Sequence, residues 1–76
     1  MKIKIICFGE VADIIGKKQF ELKDIIDSAS LKGYLAGKYP ALSKIHYQVA
    51  LNKILNKADN FKNNDEIALL PPFYGG

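Results

Sequence analysis

The sequence predicts an α+β domain in which a mixed sheet of four to five strands covers one main helix, with a second, short helix beside it. Three observations carry this. Short runs of alternating apolar and polar residues recur at 2–8, 19–23, 47–51 and 65–70. Apolar residues at helical spacing occur twice, at 11–15 and 31–39. Proline, glycine and asparagine stand between these runs and punctuate them. No repeat, linker or low-complexity stretch divides the 76 residues, so residues 1–76 read as a single domain whose last six, 71–76, form a flexible C-terminal tail. A domain of this size buries about 60% of its unfolded surface and has a stability of about 4–11 kcal/mol.

The first strand, Lys2 to Phe8, places Ile3, Ile5 and Cys7 on one face and Lys2, Lys4, Ile6 and Phe8 on the other. The first set is the expected core face, which turns the Phe8 ring away from the main core. Gly9 and Glu10 open the short helix, with Val11, Ile14 and Ile15 on one stripe and Gly16 as its left-handed stop. Gln19–Lys23 alternates again, with Phe20 and Leu22 inward, and suits an edge strand. Asp27 or Ser28 is placed to cap the main helix. That helix runs to about Lys38, with Leu31, Tyr34 and Leu35, and Tyr39 as a further candidate, on its buried face. Pro40 ends it. Gly33 and Gly37 each cost about 1 kcal/mol relative to alanine inside a helix, so a close packing approach is expected there.

Ala41–His46 reads as a loop, and Tyr47–Leu51 as a strand with Tyr47, Val49 and Leu51 on one face. Asn52-Lys53 turns the chain into a weak hairpin arm, Ile54-Leu55-Asn56. The polar stretch that follows contains Phe61, expected to plug the core, and Asn63-Asn64 suits a tight turn. In the last strand Ile67 and Leu69 point inward, leaving Ala68 and Leu70 on the opposite side. Parallel pairing of the first and last strands at the sheet centre would send the tail out from the middle of the sheet.

Composition excludes several function classes. At 49% hydrophobic and 25% charged, the chain has the make-up of a globular domain with a true core. No apolar run approaches the roughly 18 residues of a membrane span, and the alternating start has no h-region of a signal peptide. One cysteine allows no internal disulfide, which fits a reducing cytoplasm. The net charge of +3 comes from eleven lysines and no arginine, scattered along the chain. Nucleic-acid binding favours clustered bases with arginine forks, so a solvated surface is the reading here. His46 has no companion ligands for a metal site. Cys7, on the core face, reads as packing and not as a nucleophile.

The remaining feature is Pro71-Pro72-Phe73-Tyr74-Gly75-Gly76. Two prolines stop the strand, because each lacks the N–H that a ladder needs. Gly75-Gly76 carries no side chain, so the terminus can enter a channel where any Cβ would collide. Residues 72–76 fully extended span about 15 Å at ~3.3 Å per residue.

Asp65-Glu66-Ile67-Ala68-Leu69-Leu70 followed by Pro-Pro and Gly-Gly resembles the C-terminus of the ubiquitin-like β-grasp sulfur carriers, the MoaD/ThiS family, and within it the small subunits of molybdopterin synthase. Cys7-Phe8-Gly9-Glu10-Val11, Lys38-Tyr39-Pro40-Ala41-Leu42 and Val49-Ala50-Leu51-Asn52 extend the resemblance along the whole chain. Asn63-Asn64 stands where Asp-Gly is frequent, and Phe73-Tyr74 replaces smaller residues. The resemblance implies a β-grasp fold and a functional Gly76 carboxylate, with Gly75 beside it. An ATP-dependent adenylyltransferase of the ubiquitin-activating (E1) type would adenylate Gly76. Sulfur from a cysteine desulfurase or rhodanese would convert it to a thiocarboxylate, and the large synthase subunit would pass that sulfur to a cyclic pyranopterin phosphate. It further implies docking through Phe8, Leu55 and Leu70, with Pro71, Pro72, Phe73 and Tyr74 threading the partner. The chain itself would bind no cofactor, ATP being used by the activating enzyme, and would have no active site of its own.

Two other readings share this terminus. One is sulfur delivery for thiamin thiazole or tRNA thiolation, against which the Pro-Pro pair favours molybdopterin. The other is a ubiquitin-like protein tag, joined through Gly76 to lysines of its targets.

Overall fold

The computed structural model describes residues 1–55 and 60–72. Alternation in the first strand, β1 (Lys2–Cys7), becomes an exposure pattern: Ile3, Ile5 and Cys7 are buried while Lys2 and Lys4 are exposed. The chain continues through a short helix α1 (Gly9–Ile15), β2 (Gln19–Lys23) and the main helix α2 (Ser28–Lys38). A 3-10 helix (Pro40–Lys44), β3 (Gln48–Leu51), β4 (Ile54–Leu55) and β5 (Glu66–Leu70) complete it. All five strands form one mixed sheet in the order β2-β1-β5-β3-β4. The central pair, β1 and β5, is parallel, with Ile5 opposite Ile67 and Cys7 opposite Leu69. Every other pairing is antiparallel. β2 lies at one edge, as expected of the second alternating run, and β5 lies at the centre beside β1, the arrangement that sends the chain out from the middle of the sheet.

One face of the sheet meets the helices. Ile3, Ile5, Ile67, Leu69, Val49 and Leu51 from the strands pack with Val11, Ile15, Leu31 and Leu35 from the helices and with Leu42 and Phe61. Fully burying a side chain of this kind contributes about 1.5–3 kcal/mol, so this layer dominates the folding energy. Phe61 plugs the core from a loop, its N–H donating to the Ile26 carbonyl at 2.7 Å. Gly16 closes α1 at φ 81° in the left-handed region, its N–H returning to the Ala12 carbonyl.

Three expectations are corrected. Tyr34 is exposed, not buried. α2 buries a narrow stripe, Leu31 and Leu35, and the Tyr34 hydroxyl stays at the surface, accepting a hydrogen bond from Lys38 Nζ at 3.3 Å. Among the described residues, a methyl group at Gly33 or Gly37 would meet nothing within 4 Å, so no close approach among them accounts for these glycines. Residues 40–44 are not a loop but a 3-10 helix, which carries Leu42 into the core at 1% exposure.

Asp27 caps α2: its carboxylate accepts the Ser30 N–H at 2.8 Å. Hydrogen bonds from the Ser30 backbone, and then from its side chain, hold the Asp27 pKa below its ordinary 3.8. A carboxylate with a lowered folded-state pKa contributes stability above its unfolded value and loses it as pH falls through the folded value. The cap contribution is therefore expected to fade below pH 3.8. Asp27→Asn keeps an acceptor without the charge, and its melting temperature, followed by circular dichroism, should fall less on acidification than that of the unsubstituted protein.

Candidate functional site

β5 ends at Leu70, in the middle of the sheet, and the chain continues into Pro71 and Pro72, both half-buried. The site is built around this exit. On the sheet face turned away from the helices, registers align Ile6 with Ala68, Ala68 with Ala50, and Ala50 with Leu55. An apolar row thus crosses β1, β5, β3 and β4. The next rung pairs Leu70 with Gln48, and on the other side Phe8 follows Cys7 just as Leu70 follows its partner Leu69. The Phe8 N–H donates to the Leu69 carbonyl at 3.1 Å, which holds these two ends together.

The structure therefore brings Phe8 and Leu70 side by side at the root of the tail, both half-buried. Leu55 lies farther away, at the β4 edge and 49% exposed, joined to them through Ala50 and Ala68. Phe73, Tyr74, Gly75 and Gly76 lie outside the described residues, as does Asn56 of the predicted hairpin arm. Alternation alone places Ile6 and Ala68 on this face, yet neither stands out as a site residue, because each is unremarkable until the register aligns them. Lys2 and Lys4 project from the same face of β1, and Lys2 Nζ pairs with Glu21 at 3.4 Å.

Polar contacts hold the start of β5 as firmly as apolar ones hold its end. Asn52 sits in the hairpin turn at φ 48°, followed by Lys53 at φ 73°, a left-handed pair that matches the twist of the strands. The Asn52 side chain accepts the Glu66 N–H at 2.9 Å and donates to the Asp65 carboxylate at 3.0 Å. Its own N–H donates to the Glu66 carbonyl at 2.8 Å. Asp65 in turn accepts the Lys62 N–H at 2.7 Å. Asn52→Ala removes two of these bonds and leaves an alanine in a left-handed turn. It should lower stability by about 1–2 kcal/mol, read from urea unfolding.

Cys7 is 4% exposed, and burial pushes its thiol up to about 11. A nucleophilic cysteine needs the opposite shift, so this thiol belongs to the core. His46 is exposed, and among the described residues no group of histidine, cysteine or acidic side chains could hold a metal ion. Nor, among them, is any helix long and apolar enough to cross a membrane.

Residues 5–76 match the family model of the ThiS family. The chain is 34% identical, over 83 residues, to the molybdopterin synthase sulfur carrier subunit of Caenorhabditis briggsae, covering 100% of this chain and 99% of that protein. Among solved structures, a chain in the complex of subunits 1 and 2 of molybdopterin-converting factor from Helicobacter pylori superposes with a TM-score of 0.73 at 29% identity, with 100% of each chain covered. SAMP1 from Haloferax volcanii shares the fold, with a TM-score of 0.77 at 24% identity and 100% of each chain covered. The apolar row, the centrally placed last strand and a family match that runs through Gly76 agree, and the chain belongs to the MoaD/ThiS family of ubiquitin-like β-grasp sulfur carriers.

Proposed function

We propose that this protein is the sulfur carrier of a molybdopterin synthase, and that the Gly76 carboxylate is the group that carries the sulfur. The observation behind this reading is the placement of β5. A strand held on both sides at the centre of the sheet leads into Pro71 and Pro72 beside the apolar outer face, and the four remaining residues follow in sequence. On this reading the docking face and the start of the tail share one strand, β5.

The chemistry follows from the terminus. A carboxylate is a poor electrophile, and attack of its oxygen on the α-phosphate of ATP, with loss of pyrophosphate, gives an acyl-adenylate with a good leaving group. A persulfide sulfur then displaces AMP, and reduction of the resulting acyl disulfide by a thiol leaves the thiocarboxylate. The activating enzyme, of the E1-like adenylyltransferase type, and a cysteine desulfurase or rhodanese supply the ATP chemistry and the sulfur. Phe8, Leu55 and Leu70 dock the carrier on the large synthase subunit, while Pro71, Pro72, Phe73 and Tyr74 lead Gly75-Gly76 to a cyclic pyranopterin phosphate. The Helicobacter pylori relative, solved as a complex of two subunits, supports a partner of this kind. Catalytic side chains for the transfer belong to that partner.

Intact-mass measurement tests the reading. Incubation with an activating enzyme, ATP and a sulfur donor should add about 16 Da, the difference between sulfur and oxygen at the acyl terminus. Cys7→Ser should gain the same mass, because the buried thiol takes no part. Absence of the gain, with the same enzyme active on its own carrier, would sink the proposal. Recovery of Gly76 in isopeptide linkage to lysine would point to a protein tag.

A further inference from the structure

Gly9 follows Phe8 at the head of α1 with φ +53°, and a Cβ placed on it would lie 3.0 Å from Cγ of Pro71. Carbon atoms in good contact stand about 3.5–4.0 Å apart, so any side chain at position 9 has to push the proline away. Pro71 has little freedom to yield. The two residues before it are held in β5, and the Phe8 N–H fixes the Leu69 carbonyl at 3.1 Å. Ring pucker moves only Cγ, and the pyrrolidine locks its own φ near −65°, so the collision is relieved by re-puckering the ring or by shifting the residue that carries it.

We propose that Gly9 is a positioning residue for sulfur loading: its missing side chain seats Pro71 against the start of α1 and so sets the direction in which Pro72 leaves the sheet. The inference rests on the sulfur-carrier reading and adds to it a residue outside both the tail and the apolar docking row. Gly9 also holds a left-handed backbone, which alone favours glycine. The two roles separate by substitution. Asparagine tolerates left-handed φ but brings a Cβ, so Gly9→Asn imposes the collision with the smaller share of backbone strain.

The test is steady-state ATP–pyrophosphate exchange by an activating enzyme, with the full-length carrier as the varied substrate. Gly9→Asn should lower kcat about tenfold, since small misplacements of a reacting group cost rate steeply, and should leave KM within about twofold because the docking row is untouched. In a Pro71→Ala background, which lacks the ring that is struck, Gly9→Asn should lower kcat by no more than about twofold relative to Pro71→Ala alone, the difference between the two backgrounds being the coupling of the two positions. A purely structural role would instead reduce the concentration of folded carrier and raise the apparent KM at constant kcat. If Gly9→Asn does not fold, Gly9→Asp, which brings the same Cβ, also tolerates a left-handed backbone and places its carboxylate in the first turn of α1 where the helix dipole favours it, serves in its place with the same expectation. An unchanged kcat, a rise in KM alone, or a loss as large in the Pro71→Ala background overturns the inference while the carrier reading stands. A wild-type protein that supports no exchange, with an enzyme active on its own carrier, overturns both.

Discussion

A chain lacking Gly76 should gain no sulfur, where the full-length chain gains about 16 Da under the same conditions. Its melting temperature should move by no more than about 2–4 °C, the shift that roughly 0.5 kcal/mol produces in a domain of this size. The two halves of this expectation have separate physical grounds. Loading requires the terminal acyl group of a glycine that can reach an enzyme's nucleotide, and truncation replaces it with another position one residue short. Stability requires the core, and its members among the described residues, from Ile3 to Leu69, all precede Pro71. Sulfur on the shortened chain would show that the terminus is not specifically read. A large fall in melting temperature would show that Gly76 belongs to the fold.

Leu69→Ala should be the converse: severe for folding and only indirectly harmful to loading. Leu69 is fully buried between Cys7 on β1 and Val49 on β3. Truncating a buried leucine costs about 2–5 kcal/mol through lost transfer energy and the cavity left behind. Against a total of about 4–11 kcal/mol for a chain of this length, the loss is a large share, and a cost near 3 kcal/mol lowers the melting temperature by roughly 12–24 °C. Urea unfolding should show an earlier midpoint with an unchanged slope. Leu55→Ala is the control. Its side chain is already half in water, so the stability change should stay near 0.5 kcal/mol, whereas docking to a synthase large subunit should weaken. A Leu69→Ala protein as stable as the Leu55→Ala protein would contradict the central position of β5.

Much of this architecture is legible in the sequence because period-two alternation settles which side of a strand is dry. Ile3, Ile5, Cys7, Ile67 and Leu69 are assigned to the core that way, and all are buried. Local punctuation is equally readable: Gly16 stops α1, Asp27 caps α2, and Asn52 with Lys53 turns the hairpin, each through a backbone preference that needs no tertiary information. Tyr34 fails because helical spacing defines a stripe without its width. At i+3 from Leu31 it lies on the stripe's margin, and its hydroxyl tips the balance toward water. Leu42 fails because one large apolar side chain in a five-residue 3-10 helix shows no period at all. The candidate site is legible only as separate pieces. Phe8, Leu55 and Leu70 come from distant parts of the chain, and only the β1–β5–β3–β4 register joins them through Ile6, Ala68 and Ala50. Gly9 shows nothing in sequence beyond a helix start, since its contact with Pro71 exists only once the two ends of the chain meet.

The parallel pairing of β1 with β5 also bears on the route to the folded state. Lys4 aligns with Glu66, so the sheet's central ladder closes a loop that contains nearly the whole polypeptide. Contacts of such long sequence separation are entropically costly to form early and slow folding. The strand that closes the core is the same strand that leads into Pro71. An incompletely folded chain, with β5 undocked, has neither Ile67 and Leu69 in place nor Pro71 seated on Gly9. On the proposed carrier function, topology would couple activation to maturation: an enzyme that recognised the seated stalk would read, in the same contact, that the carrier had finished folding.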